Sequence, residues 1–121
     1  MSAQHQDLLS IEVRDGIHVV RCLTETLLDP VDIERVDIQI QAAMASVSTP
    51  RVVVNLQSVN HMASLMLSVL IKLHQDVQAK GGAVALASIP KRLQDLFELV
   101  GLDHIFDSYE TPEEALAALQ N

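Results

Sequence analysis

Between Val52 and Ala87 the chain carries a pattern that few folds accommodate. Val52-Val53-Val54 is a continuous β-branched run, as in a strand covered on both faces. Met66, Val69, Leu70, Leu73 and Val77 then recur at helical spacing, which predicts a helix over about Ser64 to Lys80. Gly81-Gly82 supplies the chemistry of a helix C-terminus, and Ala83 to Ala87 is a second apolar run of strand length. Strand, helix and strand in this order predict a parallel pair joined by a right-handed crossover. A phosphate-cradling loop has its glycines ahead of the helix, so these do not indicate a nucleotide site.

The flanking segments extend that unit. Leu9, Ile11 and Val13 alternate with Ser10, Glu12 and Arg14, the period of a strand with one buried face. Asp15-Gly16 is a two-residue hairpin signal, and the chain returns over Ile17 to Leu23. Such a turn sets Val13 opposite His18 and Ile11 opposite Val20, which puts His18 on the more apolar face as a packed residue. Asp29-Pro30 opens a first helix with Ile33, Val36, Ile40 and Ala43 as its stripe, and Thr49-Pro50 ends that region. Pro90 starts a third helix with Leu93, Leu96, Phe97 and Val100 inward and Gly101 as terminator. Ile105-Phe106 reads as a short edge strand or extended link. Thr111-Pro112-Glu113-Glu114 is a capping box for a last short helix with Leu116 and Leu119. No linker or repeat divides the chain. The expectation is a single α/β domain over residues 1–121, with residues 1–7 flexible. Its mixed sheet has four to five strands and about four helices packed mainly on one face.

Composition narrows the function. A chain of 121 residues that is 49% hydrophobic but only 2% aromatic builds an aliphatic core and has little to stack on bases. Sixteen acidic against eight basic residues give a formal charge of −8, which repels phosphate backbones and anionic lipid. Nucleic acid is therefore not an expected partner. The charge-free stretch from Val52 to Ile71 is interrupted by Asn55, Gln57, Ser58, Asn60 and His61, too soon to span a bilayer. Cys22 is the only cysteine and reads as a buried apolar residue. With no signal-like start in Met1 to Asp7, a reducing cytoplasm is expected.

Catalysis has little to stand on. His5, His18, His61, His74 and His104 show no metal-ligand spacing, so neither a metal nor a cofactor is expected. His61 and Ser64 are close in sequence, but no glycines build a nucleophile elbow around Ser64, which reads as a helix-start residue. The chain is expected to bind other proteins and not to act as an enzyme.

The second helix is the informative surface. Opposite its core stripe lie Ser64, Ser68, Ile71 and Gln75, with Leu67 on one flank and charge only at Lys72 and Asp76. A solvated helix face usually carries more charge. Either a protein partner covers this face or another helix of the domain does.

The order of these segments resembles the STAS domain, the fold of bacterial anti-sigma factor antagonists and related regulatory modules. The early hairpin, the run from Val52 through Gly82, the strand Ala83 to Ala87 and Phe97-Glu98-Leu99-Val100-Gly101-Leu102 carry the resemblance. The family's regulatory motif is an Asp, a phosphorylatable Ser or Thr, a small residue and glycines at the start of the second helix. It falls here on residues 63–68, with Ser64 at the phosphoacceptor position. Ala63 replaces the acidic neighbour, Met66 and Ser68 occupy the two glycine positions, and Asn55 stands where such strands often end in Asp. The resemblance implies a partner of the anti-sigma or serine-kinase type. That partner would be bound through His61, Met62, Ala63, Ser64, Leu65, Leu67, Ser68 and Ile71 and switched by phosphorylation of Ser64. The alternative is a constitutive STAS subunit of a signalling scaffold or of a membrane transporter complex. A homodimer or a larger assembly is compatible with either.

Overall fold

The computed structural model describes residues 7–120; His5 and all but the last residue of the segment expected to be flexible lie outside them. Strands β1 (Leu9–Arg14) and β2 (Ile17–Cys22) form the hairpin, with Val13 opposite His18 and Ile11 opposite Val20. Asp15 and Gly16 both take positive φ, at 53° and 79°, as the tight turn requires. Leu23 falls just beyond β2.

Strand β3 (Thr26–Leu27) leads to helix α1 (Pro30–Met44), where the Asp29 carboxylate accepts the Val31 amide at 2.9 Å and caps the helix. Then follow β4 (Arg51–Asn55), β5 (His61–Met62), α2 (Ser64–Ala79) and β6 (Ala83–Ala87). The chain closes with α3 (Lys91–Val100), a 3-10 turn over Leu102–His104, β7 (Asp107–Tyr109) and α4 (Pro112–Gln120). Thr111 and Glu114 exchange the two reciprocal bonds of a capping box, at 3.1 and 3.2 Å.

The main sheet has the order β1-β2-β4-β6-β7, antiparallel at β1–β2 and parallel elsewhere, and β3 pairs with β5 in a separate parallel ribbon. Helices α1, α2 and α3 bury Ile33, Val36, Ile40, Leu70, Leu73 and Phe97 with Val20, Val52, Val54 and Leu86 on one face. On the other face α4 alone packs Ala115 and Leu116 against Ile17, Val19, Val53, Ala85 and Ala87. Arg51 ties that helix down by donating to the Leu119 carbonyl at 2.8 Å. The fold is thus a mixed α/β domain whose main sheet has five strands, at the upper end of the four to five that the sequence predicts.

Two local expectations fail. Ile105-Phe106 is no strand: Phe106 turns into the core after the 3-10 turn, and β7 begins one residue later. Val100, expected inward, is half exposed in the last turn of α3, where Gly101 diverts the chain. Cys22 is buried as expected, and burial pushes its thiol up to about 12. The folded protein should therefore resist iodoacetamide at pH 8 and be modified only once denaturant opens the core, as intact mass would show. A raised folded-state pKa means that the native state holds its proton longer. This thiol's contribution to stability is constant well below pH 9 and falls between pH 9 and about 12 by up to about 1.4 kcal/mol per unit. In denaturant titrations at pH 8 and 10, Cys22→Ala should flatten that fall.

Candidate functional site

The start of α2 is held by backbone bonds from two directions. After β4, the Asn55 side-chain oxygen accepts the Gln57 amide at 3.0 Å, and the Leu56 amide reaches the Ala87 carbonyl at 3.0 Å. Asn60 and His61 donate to the Glu25 carbonyl, and the Ala63 amide donates to Leu27 at 2.9 Å. The β3–β5 ribbon thereby fixes the residue from which α2 departs. Ala63 is the N-cap and supplies no side-chain acceptor, and the first intrahelical bonds come from Met66 and Leu67 to its carbonyl. The Ser64 and Leu65 amides stand ahead of those bonds, at the positive end of the helix dipole.

The structure sorts the residues singled out from sequence. Ser64, Leu65, Ser68 and His61 are exposed, with Leu65 at 46%, and Ala63 and Ile71 are half-buried against the core. Met62 and Leu67 are each only 8% exposed and belong to the core cluster. The flank assigned to Leu67 is therefore covered from within the domain, and neither side chain is open to a partner in this conformation. The Ser68 hydroxyl bonds back to the Ser64 carbonyl at 3.3 Å. His61 does not pair with Ser64: its Nε2 lies 3.2 Å from an Arg92 guanidinium nitrogen of α3, so the two do not form a nucleophile and its base.

Three neighbours escaped the sequence reading. Arg92 stands beside His61 and brings a positive charge to this end of α2. Leu28, 52% exposed, follows the register Leu27↔Met62 and so falls beside Ala63, and Val31 is exposed in the first turn of α1. An apolar doublet before a helix, Leu27-Leu28, could have signalled one buried and one exposed leucine. Nothing local in the sequence points to Arg92.

A cleft of about 470 Å³ lies elsewhere, floored by Leu86, Phe97 and Leu102 and rimmed by Glu98, Asp103 and Glu110. It holds none of the residues expected from sequence to bind a partner or accept a phosphate. Among the described residues no group of three or more His, Cys, Asp or Glu is placed to hold a metal ion, and no helix is long and apolar enough to cross a membrane.

An aliphatic α/β domain with an antiparallel hairpin at one edge of a parallel sheet, and an uncharged helix start held by a small ribbon, defines a narrow class. The chain belongs to the STAS domain family, whose model matches residues 9–115. It is similar in structure to an anti-sigma factor antagonist from Mycobacterium paratuberculosis, with 26% identity and a TM-score of 0.81 over 93% of each chain. A STAS domain protein from Planctomyces limnophilus, described as an anti-sigma-factor antagonist, aligns at 19% identity and TM-score 0.83, over 92% of this chain and 96% of that one. A sulfate transporter family protein from Wolinella succinogenes shares the fold at 11% identity and TM-score 0.71, over 90% of this chain and 88% of the other.

Proposed function

We propose that this STAS domain is a non-catalytic regulatory module that binds an anti-sigma or serine-kinase-type protein through the start of α2, with phosphorylation of Ser64 as its release signal. The observation that carries the reading is an exposed hydroxyl at the first helical position, with exposed Leu65 next to it and exposed Leu28 on the neighbouring ribbon. Apolar side chains supply contact area, and the hydroxyl supplies a point where charge can be added without moving the backbone. A phosphate would bring about 1.5 to 2 negative charges. The domain tolerates them at the positive end of a helix dipole. A partner seated on Leu65 and Ser68 would face that charge desolvated, a cost of ~2–5 kcal/mol that lowers affinity tens- to thousands-fold.

A second reading follows from Ala63, Met66 and Ser68, which remove the acidic neighbour and the glycines from the motif. On that reading the same surface binds constitutively, as a subunit of a scaffold or of a transporter complex. One experiment separates them. The protein is incubated with ATP in extract of its own cells, beside Ser64→Ala, and intact mass is read together with the proteins retained on it. The switch predicts one phosphate that Ser64→Ala lacks, and retention of the partner only by the unmodified form. The constitutive reading predicts no phosphate and equal retention by Ser64→Asp. Leu65→Glu should weaken retention about thirtyfold on either reading while the fold survives. Unchanged retention would remove this end of α2 from the interface.

A further inference from the structure

The cleft beside α3 opens outside the carboxyl ends of β6 and β7, where open parallel sheets commonly hold their ligands. Its volume of about 470 Å³ is that of a small-molecule site. Bonds within the domain set its shape. Ser88 leaves β6 with a φ of 56°, uncommon for a residue other than glycine. Its amide donates to the Tyr109 carbonyl and its hydroxyl to the Glu110 carbonyl, both at 3.0 Å. The Gln94 side-chain amide ties the first turn of α3 to the Ile89 carbonyl at 2.8 Å.

Leu86, Phe97 and Leu102 are only 1%, 3% and 2% exposed. The floor is therefore a closed carbon surface, on which a ligand can rest without opening the core. Half-buried Ile89 adds an apolar wall. Glu98, Asp103 and Glu110 are exposed at the rim, and among the described residues no lysine, arginine or histidine lines the cleft. His104, 4.0 Å from the Asp103 carboxylate, is not part of the wall, and Lys91 of α3 pairs with Asp95 at 2.9 Å. Glu98 and Glu110 form no ion pair among the described residues. Charge of one sign over a low-dielectric floor focuses the field and concentrates ions of the opposite sign. Ser108 lies on the same sheet face as Leu86, and its hydroxyl and the Gln94 side-chain oxygen are further acceptors in the wall.

We infer that this cleft binds a small organic cation, a primary amine carried on a compact apolar body. The body lies over the floor and against Ile89, and the three ammonium protons meet acceptors only: the rim carboxylates, Ser108 and Gln94. Nucleotides and other anions are repelled by the same carboxylates. The site lies apart from the exposed residues at the start of α2 and does not depend on the function proposed for them.

Three probes that share one indole body and differ in charge test the inference on the whole chain: tryptamine, neutral tryptophol and anionic indolepropionate. Amide chemical shifts are followed by nuclear magnetic resonance as each is titrated at pH 7. Tryptamine should move the amides of Ser88, Ile89, Leu102 and Ser108 with a dissociation constant below ~1 mM, and the other two should bind at least about tenfold more weakly. Replacing Glu98→Gln and Glu110→Gln together should keep the thermal transition and weaken tryptamine at least about tenfold. Glu12→Gln with Glu34→Gln removes the same amount of charge elsewhere and should leave its affinity unchanged. No shift at those amides up to ~10 mM tryptamine would overturn the inference. So would equal affinity for tryptophol, or equal losses in the two double variants, which would reduce the effect to the overall charge of the chain.

Discussion

Gly82→Ala should destabilise the domain by about 3–5 kcal/mol, a loss at the upper end for a single substitution and a large fraction of the stability of a domain this size. A methyl carbon built on Gly82 would lie 1.8 Å from the Pro50 carbonyl oxygen and 2.9 Å from its carbon. No side chain can swing aside to relieve a clash with backbone. The Pro50 carbonyl also accepts the Ala83 amide at 3.1 Å, the bond that opens the β4–β6 ladder. Relief therefore means moving β6 from β4, or the end of α2 from the sheet, in a core packed at close to crystal density. Gly81→Ala is the control. It has open space around it but a φ of 77°, so it should cost only about 1–2 kcal/mol. Urea titration of the two variants checks the contrast, and equal losses would mean that backbone conformation, not the close approach, governs this junction.

The second large effect is expected at Leu67. Leu67→Glu puts a carboxylate among the side chains between α2 and its neighbours, where Leu67 is nearly inaccessible. In these apolar surroundings the group must either stay protonated or draw in water, and several kcal/mol of stability are lost. Leu65→Glu, two positions earlier and 46% exposed, should leave the melting temperature within a few degrees of wild type. Circular dichroism melts of the pair test the placement of the helix face. Loss of partner binding in Leu67→Glu would report unfolding and say nothing about the interface.

That contrast also shows where a sequence stops being sufficient. The hairpin register was readable because a two-residue turn leaves no freedom: once Asp15-Gly16 is placed, Val13 must meet His18. The extent of α2 was readable because five apolar residues repeat at one period and two glycines end them. The width of its buried stripe was not. A helical wheel locates the centre of a stripe, whereas its edges depend on what packs beside it: α1 lies along the Lys72 and Asp76 side, and on the Leu67 side His74, two turns on, packs its ring against Phe106. The β3–β5 ribbon was invisible for another reason: Thr26–Leu27 and His61–Met62 are each too short to show alternation. Strand β7 is made of Asp107, Ser108 and Tyr109, polar because it lies at an edge, so the apolar pair just before it took the assignment. At the candidate site, Ser64 and Leu65 followed from the motif and the wheel. Arg92 did not, since its approach to His61 spans separate elements that only the fold brings together.

The uneven covering of the sheet has a consequence for how the domain opens. Nine residues of α4 shield one face, resting on small side chains and on the link from Arg51 to Leu119, while three helices interlock on the other. Peeling α4 away uncovers Ile17, Val19 and Val53 but leaves the larger cluster whole. Local opening of that kind costs less than global unfolding. The amides of α4 therefore trade deuterium through a partial opening, while those of β4 exchange only when the whole domain comes apart. A protease that samples the open form meets the C-terminal helix first and finds the remainder still folded.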